Sequence, residues 1–217
     1  MQSKMITVVL SVAVLFAFLT LLPDLQAVRL QGNDEGYAPE QPIDFSHRLH
    51  AGELQVDCRY CHYNAEHGKL AGVPAASICM NCHRFVSAPF GAVRAEDKLA
   101  TDENRDARPV VSAEIAKIYT ALGLDSTATP DLSRTMDPIE WTRIHILPDY
   151  AAFDHSVHIT AGVDCATCHG DVATMERLRQ AETLSMGWCV NCHRDANETG
   201  IAGRQVNAPD DCSACHY

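Results

Sequence analysis

Cysteine and histidine follow one repeated pattern in this chain. Ten cysteines form five pairs with two residues between the thiols, and a histidine directly follows each pair. The pairs are Cys58/Cys61, Cys79/Cys82, Cys165/Cys168, Cys189/Cys192 and Cys212/Cys215, and the histidines are His62, His83, His169, His193 and His216. Cys-x-x-Cys-His is the attachment motif of c-type haem, in which the thiols bond the porphyrin and the imidazole reaches the iron. The sequence therefore predicts five covalently bound haem c groups.

Zinc sites and a disulfide framework are the competing interpretations of so many cysteines. A structural zinc ion takes four ligands in a closed tetrahedron, and ten cysteines with five adjacent histidines do not divide into such sites. A disulfide framework gives the five histidines no role. Haem attachment uses every cysteine and every adjacent histidine.

Two further histidine pairs precede attachment motifs, in FSHRLHAGELQVDCRYCH and FDHSVHITAGVDCATCH. Positions i and i+3 of a helix lie on one side of it, about 60° apart. The two imidazoles diverge, so they suit two different irons better than one. We therefore predict His47, His50, His155 and His158 as second axial ligands of four haems.

The second ligand of the fifth haem has two candidates. Met186 lies three residues before Cys189, and His145 lies ten residues before His155. A thioether ligand raises the reduction potential relative to a second imidazole, so the choice affects electron flow. His67 lies in a loop containing Gly and Lys, where we expect it to face solvent.

The chain divides into units by composition. Residues 43–90 form a dihaem unit and residues 141–217 a trihaem unit, and the recurring histidine pattern indicates a duplication. The 91–140 spacer lacks Cys and His, and it predicts one helix that begins after Ser112 and ends at Gly123. Only 6% of the residues are aromatic, so we expect a mainly α fold with much irregular loop, in which the haems form the core.

The N-terminus predicts membrane attachment. Residues 5–22 carry no charge and follow Lys4, and about 20 apolar residues span a bilayer. A cleaved signal peptide is the alternative. We favour a transmembrane anchor over 1–23 and a linker over 24–42, which places the haem domain on the periplasmic side of the cytoplasmic membrane. The net charge of −11 argues against a nucleic-acid partner.

The spacing FxHxxH before Cys-x-x-Cys-His resembles the class III cytochromes, especially the trihaem cytochrome c7 type. The resemblance implies that His47 and His50 serve the Cys58 and Cys79 haems. It likewise assigns His155 and His158 to the Cys165 and Cys189 haems. Met186 stands near the place of the third distal histidine of cytochrome c7, but it differs in residue type and by one position.

A wider pattern covers most of residues 40–217. GVPAASICMNCHR, WTRIHILPDYAAFDHSVH, MGWCVNCHR and a final CSACH resemble the pentahaem cytochrome c subunit of alternative complex III, a quinol-oxidising membrane complex. The resemblance implies an iron–sulfur subunit related to molybdopterin oxidoreductases, polytopic quinol-binding subunits and a monohaem cytochrome c as partners.

We therefore expect a subunit that relays electrons within a respiratory or photosynthetic quinol-oxidising complex towards a periplasmic acceptor. The alternative is a stand-alone membrane-anchored carrier or quinol dehydrogenase serving a periplasmic reductase. A multihaem reductase would need an open iron position. Every motif here ends in histidine and enough further ligands exist to fill the distal positions, so we expect no catalytic site in the chain itself.

Overall fold

A computed structural model describes residues 5–6, 10–12, 14–17, 20 and 34–216. In these residues the chain is mainly helical, and its β structure is limited to isolated bridges. The predicted anchor and linker lie largely outside the described residues. Among the residues that are described, none belongs to a helix with the length and apolar character needed to cross a membrane.

The described helices are short. In chain order they are α1 (Cys58–Cys61), α2 (Ala76–His83), α3 (Phe90–Asp102), α4 (Ala113–Ala121), α5 (His155–Ala161), α6 (Ala166–His169), α7 (Met186–Thr199) and α8 (Cys212–Cys215). A π-helix spans Arg48–Glu53, and 3₁₀ turns span Tyr63–Glu66 and Val172–Thr174. All five attachment motifs lie in or against a helix, as the mainly α prediction requires.

Side-chain caps begin the helices that carry three of the motifs. The carboxylate of Asp57 accepts from the N–H of Arg59 at the start of α1, and that of Asp211 accepts from two N–H groups of α8. The hydroxyl of Ser185 accepts from the N–H of Trp188 at the start of α7. Such caps satisfy N–H groups that have no partner within the helix, so they fix where each motif begins to turn.

The spacer contains two helices, whereas the sequence predicted one. The predicted helix is present as α4, and the hydroxyl of Ser112 caps it by accepting from Ile115 N at 3.4 Å. The additional helix is α3. Pro89 precedes α3 and gives no side-chain cap, so this helix lacks the start signal that Ser112 provides for α4.

The polypeptide core is small. Its main cluster joins Ile43, Met80, Ile118 and Tyr119, which packs α2 against α4. The Tyr119 hydroxyl donates to the carbonyl of His83 at 2.7 Å, so the spacer helix is tied to an attachment motif. Among the described residues, the largest fully buried side chain is polar, that of Gln180.

The two units pack against each other. The π-helix of the first unit lies on the Val172–Thr174 turn of the second, so closely that a Cβ on Gly52 would stand 2.3 Å from the carbonyl oxygen of Ala173. Beside this contact, the N–H of Arg48 donates to Met175 O at 2.9 Å. A second contact joins α5 to the Tyr63–Glu66 turn.

Candidate haem sites

Three of the four predicted pairs of axial histidines face each other with a similar distance between their ring centroids. The ring centroids are 6.1 Å apart for His50 and His83, 6.3 Å for His155 and His169, and 6.0 Å for His158 and His193. Metal–imidazole bonds of about 2 Å on both sides of one iron separate the two ring centres by about 6 Å. Each pair therefore leaves the space that an iron between two axial imidazoles requires.

The fourth predicted pair is His47 and His62, whose rings interact electrostatically. Burial, together with the neighbouring His62 and His50, lowers the pKa of His47 to about 4. The imidazole is therefore neutral, as a metal ligand must be. Its Nδ1 is buried without a hydrogen-bond partner in the polypeptide. An unsatisfied buried atom is costly, and it fits a site built around a group that the chain does not supply.

Backbone carbonyls fix the orientation of seven further histidines that are predicted as axial ligands. Nδ1 lies 2.8 Å from Ser46 O in His50, from Gly72 O in His62 and from Val86 O in His83. In His155 and His158 it lies 2.7 Å from Lys69 O and Asp154 O, and in His193 and His216 it contacts Pro209 O and Tyr150 O. A carbonyl can only accept, so Nδ1 donates and Nε2 keeps its lone pair for a metal.

The two histidine pairs share one ring geometry. Phe45 meets His47 edge-on at 4.9 Å and stacks on His50 at 4.3 Å. Phe153 meets His155 edge-on at 4.8 Å and stacks on His158 at 4.6 Å. The phenyl ring therefore holds the two imidazoles apart in the same way in each unit. The first pair begins a π-helix and the second an α-helix, so the shared geometry depends on the ring and not on the helix type.

His145 lies against His169, its Nε2 3.0 Å from Nδ1 of that ring. Burial, together with His145 and two further histidines, lowers the pKa of His169 to about 4. The other candidate for the fifth haem, Met186, has a side chain that is 68% exposed at the start of α7. His67 is exposed, as expected. Ligation of the fifth iron by either candidate stays a prediction.

Thiols of neighbouring motifs lie close enough to interact. Burial raises the pKa of each of these thiols, that of Cys168 to about 11, and nearby thiols raise it further. The neighbours are Cys61 with Cys82, Cys58 with Cys165, Cys168 with Cys189 and Cys192, and Cys189 with Cys215. The five attachment sites therefore follow one another in space in the order Cys79, Cys58, Cys165, Cys189, Cys212.

A groove opens beside one attachment site. It has a volume of about 420 Å³ and lies between the Cys165 and Cys189 motifs. Its walls include Thr167, Glu182, Trp188, Cys192, Asp195 and Ile201. A thiol beside an apolar indole in an open groove suits a flat apolar group bound covalently at one edge.

No pattern in the sequence indicates the carbonyl groups that orient the imidazoles. Lys69, Val86, Tyr150 and Pro209 act through main-chain oxygen atoms, and a carbonyl is common to every residue type. Gly72 is the one acceptor of this group whose residue type indicates its local structure, because its φ of +73° is one that glycine adopts most readily. A glycine shortly after a motif marks such a turn, although it does not identify the acceptor.

The motifs and the facing imidazoles are the arrangement expected of a c-type multihaem cytochrome. Residues 151–217 match the family described as cytochrome c7 and related cytochrome c, which implies covalently bound haem c in that part of the chain. The chain is also similar to a Nitratidesulfovibrio vulgaris Hildenborough protein named menaquinone reductase, multiheme cytochrome c subunit. The two are 26% identical over 197 residues, which cover 82% of this chain and 77% of that protein.

Proposed function

We propose that this chain is the pentahaem electron-transfer subunit of a membrane complex that exchanges electrons with quinone. One observation carries the proposal: predicted axial partners from distant parts of the sequence face each other at the separation that an iron needs. Haem c, when bound, supplies one-electron redox chemistry at each site. The chain binds no small substrate in this proposal and has no catalytic site of its own.

The residues of the chain hold and tune the cofactors. The ten motif cysteines attach them, and the five adjacent histidines provide the proximal ligands. His47, His50, His155 and His158 provide distal imidazoles whose orientation is set by main-chain acceptors or by the phenyl rings. Burial lowers the pKa of His47 and so keeps its imidazole neutral.

At the Cys212 site, the proposal takes Met186 as the distal ligand. Nε2 of His145 is occupied by the hydrogen bond from His169, whereas the thioether of Met186 stands exposed. Met186 also begins the helix that carries Cys189, whose thiol neighbours Cys215. A thioether would give this terminal site a higher potential than a second imidazole.

The complex proposed here is alternative complex III. The motif pattern over residues 40–217 supports this assignment, as does relatedness to a haem subunit of another quinone-linked complex. The partners would be an iron–sulfur subunit related to molybdopterin oxidoreductases, polytopic quinol-binding subunits and a monohaem cytochrome c. An anchor within residues 1–23 would hold the haem domain at the periplasmic face, where electrons pass from quinol towards a soluble acceptor.

A second candidate reverses the direction of electron flow. The relative from Nitratidesulfovibrio vulgaris is named as part of a menaquinone reductase, so a chain similar to it could deliver electrons to quinone. A stand-alone carrier or quinol dehydrogenase is the remaining alternative, and it would not require partner subunits.

Gentle detergent extraction followed by a haem-stained native gel tests the proposal. Mass spectrometry of the stained band should identify this chain together with iron–sulfur and polytopic subunits. A band that contains this chain alone would overturn the subunit assignment and leave the stand-alone carrier.

The purified complex then decides the direction. Added quinol should reduce the haems, and a soluble acceptor should reoxidise them. The opposite result would favour the quinone reductase: a soluble donor reduces the haems, added quinone reoxidises them, and quinol does not reduce them.

A further inference from the structure

The turn that follows the first attachment motif contacts histidines of both units. The Nδ1–H of His62 donates to Gly72 O at 2.8 Å, within the first unit. The Nδ1–H of His155, in the second unit, donates to Lys69 O at 2.7 Å. The two acceptors lie three residues apart on one short segment of main chain.

A third hydrogen bond holds the segment between these acceptors. The side-chain amide of Asn64 donates to Leu70 O at 2.6 Å. The main-chain N–H of His155 also donates to Lys69 O, at 3.3 Å. The carbonyl groups of residues 69, 70 and 72 thus each accept a hydrogen bond, and none of the four bonds depends on the side chain of its acceptor.

We propose that residues 69–72 form a clamp that positions the axial histidines of two haems, one from each unit. The clamp makes the Cys58 and Cys165 sites the pair through which the units meet. The inference rests on the proposed function, because it assumes that His62 and His155 are axial ligands.

Contacts elsewhere agree with this junction. The thiol of Cys58 lies near that of Cys165, although they belong to different motifs. The helix α5, which begins with His155, packs on the Tyr63–Glu66 turn directly after His62. A shift of the turn would therefore move both imidazoles together.

The backbone of Gly72 provides the test. Its φ is +73°, and no atom lies within 4 Å of where a Cβ would stand, so Gly72→Ala changes the backbone preference and causes no clash. Gly72→Asn is the conservative variant, because asparagine tolerates this conformation better than alanine. Gly36→Ala is the matched control, because Gly36 has φ +79° and equally open surroundings.

The measurement is electron paramagnetic resonance with redox titration of the haem-loaded, full-length protein. Variants His47→Met and His155→Met assign the signals of the Cys58 and Cys165 sites. Gly72→Ala should shift the signals and midpoint potentials of both sites and leave those of the Cys79 and Cys189 sites unchanged. Gly72→Asn should restore the wild-type values, and Gly36→Ala should leave them as they are.

A shift confined to the Cys58 site, or no shift at all, would overturn the clamp. If Gly72→Ala does not mature, Asn64→Ala gives the same test because it releases the middle carbonyl. Amide hydrogen exchange at His155 reports on its hydrogen bond to Lys69 O without any haem signal. The exchange should become faster in both Gly72→Ala and Asn64→Ala. Intact mass separately reports whether haem is attached, so failure of the clamp is distinguishable from failure of the proposed function.

Discussion

At the scale of single residues, the tautomer of each imidazole decides what its ring can do. A carbonyl opposite Nδ1 leaves Nε2 without a proton, as in His83 with Val86 O and His158 with Asp154 O. His169 differs, because its Nδ1 faces another imidazole, that of His145. An imidazole acceptor is more basic than a carbonyl and strengthens the ligand that it contacts.

This contrast predicts different outcomes for the two candidates at the fifth haem. Met186→Leu should abolish the thioether-to-iron charge-transfer band of the oxidised protein and leave one haem high-spin, because it removes a ligand. His145→Gln should keep that band, keep all haems low-spin and shift the potential of one haem. Absorption spectroscopy and paramagnetic resonance check both variants. A high-spin haem in His145→Gln would instead make His145 the ligand.

At the scale of elements, the spacer helix α4 contributes half of the main core cluster. Ile118 is 5% exposed and packs with Tyr119 against Ile43 and Met80. Since the hydroxyl of Tyr119 bonds His83 O, packing of this helix supports the Cys79 site. The helix without an attachment motif is thus a structural support for a helix that carries one.

Truncation of the core should reveal this support. Ile118→Ala should lower the free energy of unfolding by about 2–5 kcal/mol, because it removes buried methyl groups and leaves a cavity. Leu132→Ala is the control: Leu132 is fully exposed, and its loss should change stability by less than about 0.5 kcal/mol. Denaturant unfolding followed by circular dichroism measures both. Equal effects would contradict the assignment of the core.

The helix α3 predicts a dependence on pH. Hydrogen bonds from the Arg105 guanidinium, then from the N–H of Arg108, hold the pKa of Glu96 at about 2. A carboxylate with a lowered pKa stabilises the fold fully above its unfolded value of about 4.5, and this contribution is lost as the pH falls through about 2. The Glu96–Arg105 pair joins the end of α3 to the segment after it.

Glu96→Gln should therefore reduce stability at neutral pH, and its difference from wild type should narrow as the pH falls below about 4.5. Chemical unfolding over a pH series measures this difference. Asp102→Asn is the control, because its pair with Lys98 is largely exposed and should contribute little at any pH. A difference for Glu96→Gln that is constant across the series would contradict the lowered pKa.

Local patterns predicted helix α4 and missed α3 for a physical reason. For α4, the capping residue Ser112 indicates the start of the helix. The spacing of Ile115, Ile118 and Tyr119 indicates its buried face. The helix α3 begins without a side-chain cap and is exposed over most of its surface. The Glu96–Arg105 pair joins it to the segment that follows. The facing imidazoles depend on packing between segments that are separated in the sequence. The spacing of Cys and His could therefore predict the ligands, but it could not predict that Lys69 O lies beside His155.

At the scale of the whole molecule, neighbouring thiols link the five predicted sites in a series that crosses from the first unit to the second. The Cys58 and Cys165 sites are the link between the units, and the Cys79 and Cys212 sites are the first and last of the series. The ends are therefore the places where an electron donor and an electron acceptor can approach without crossing the other sites.

The number of cofactors is a property of the whole molecule as well. Intact mass spectrometry of the mature protein should show five haem additions, because all ten cysteines belong to attachment motifs. The double variant Cys212→Ala/Cys215→Ala removes the site at one end, so it should lose one haem and keep the other four. Fewer than five in the mature wild-type protein would contradict the assignment of all five motifs.

The small polypeptide core has a consequence for biogenesis. In the part of the chain that the structure describes, four residues form its main cluster, and the largest fully buried side chain is the polar Gln180. This part of a newly made chain therefore has little apolar interior to hold it together before its cofactors are attached. We expect it to be open to proteases until then, so that its abundance in the cell follows the supply of haem and the capacity of the attachment machinery more than the rate of translation.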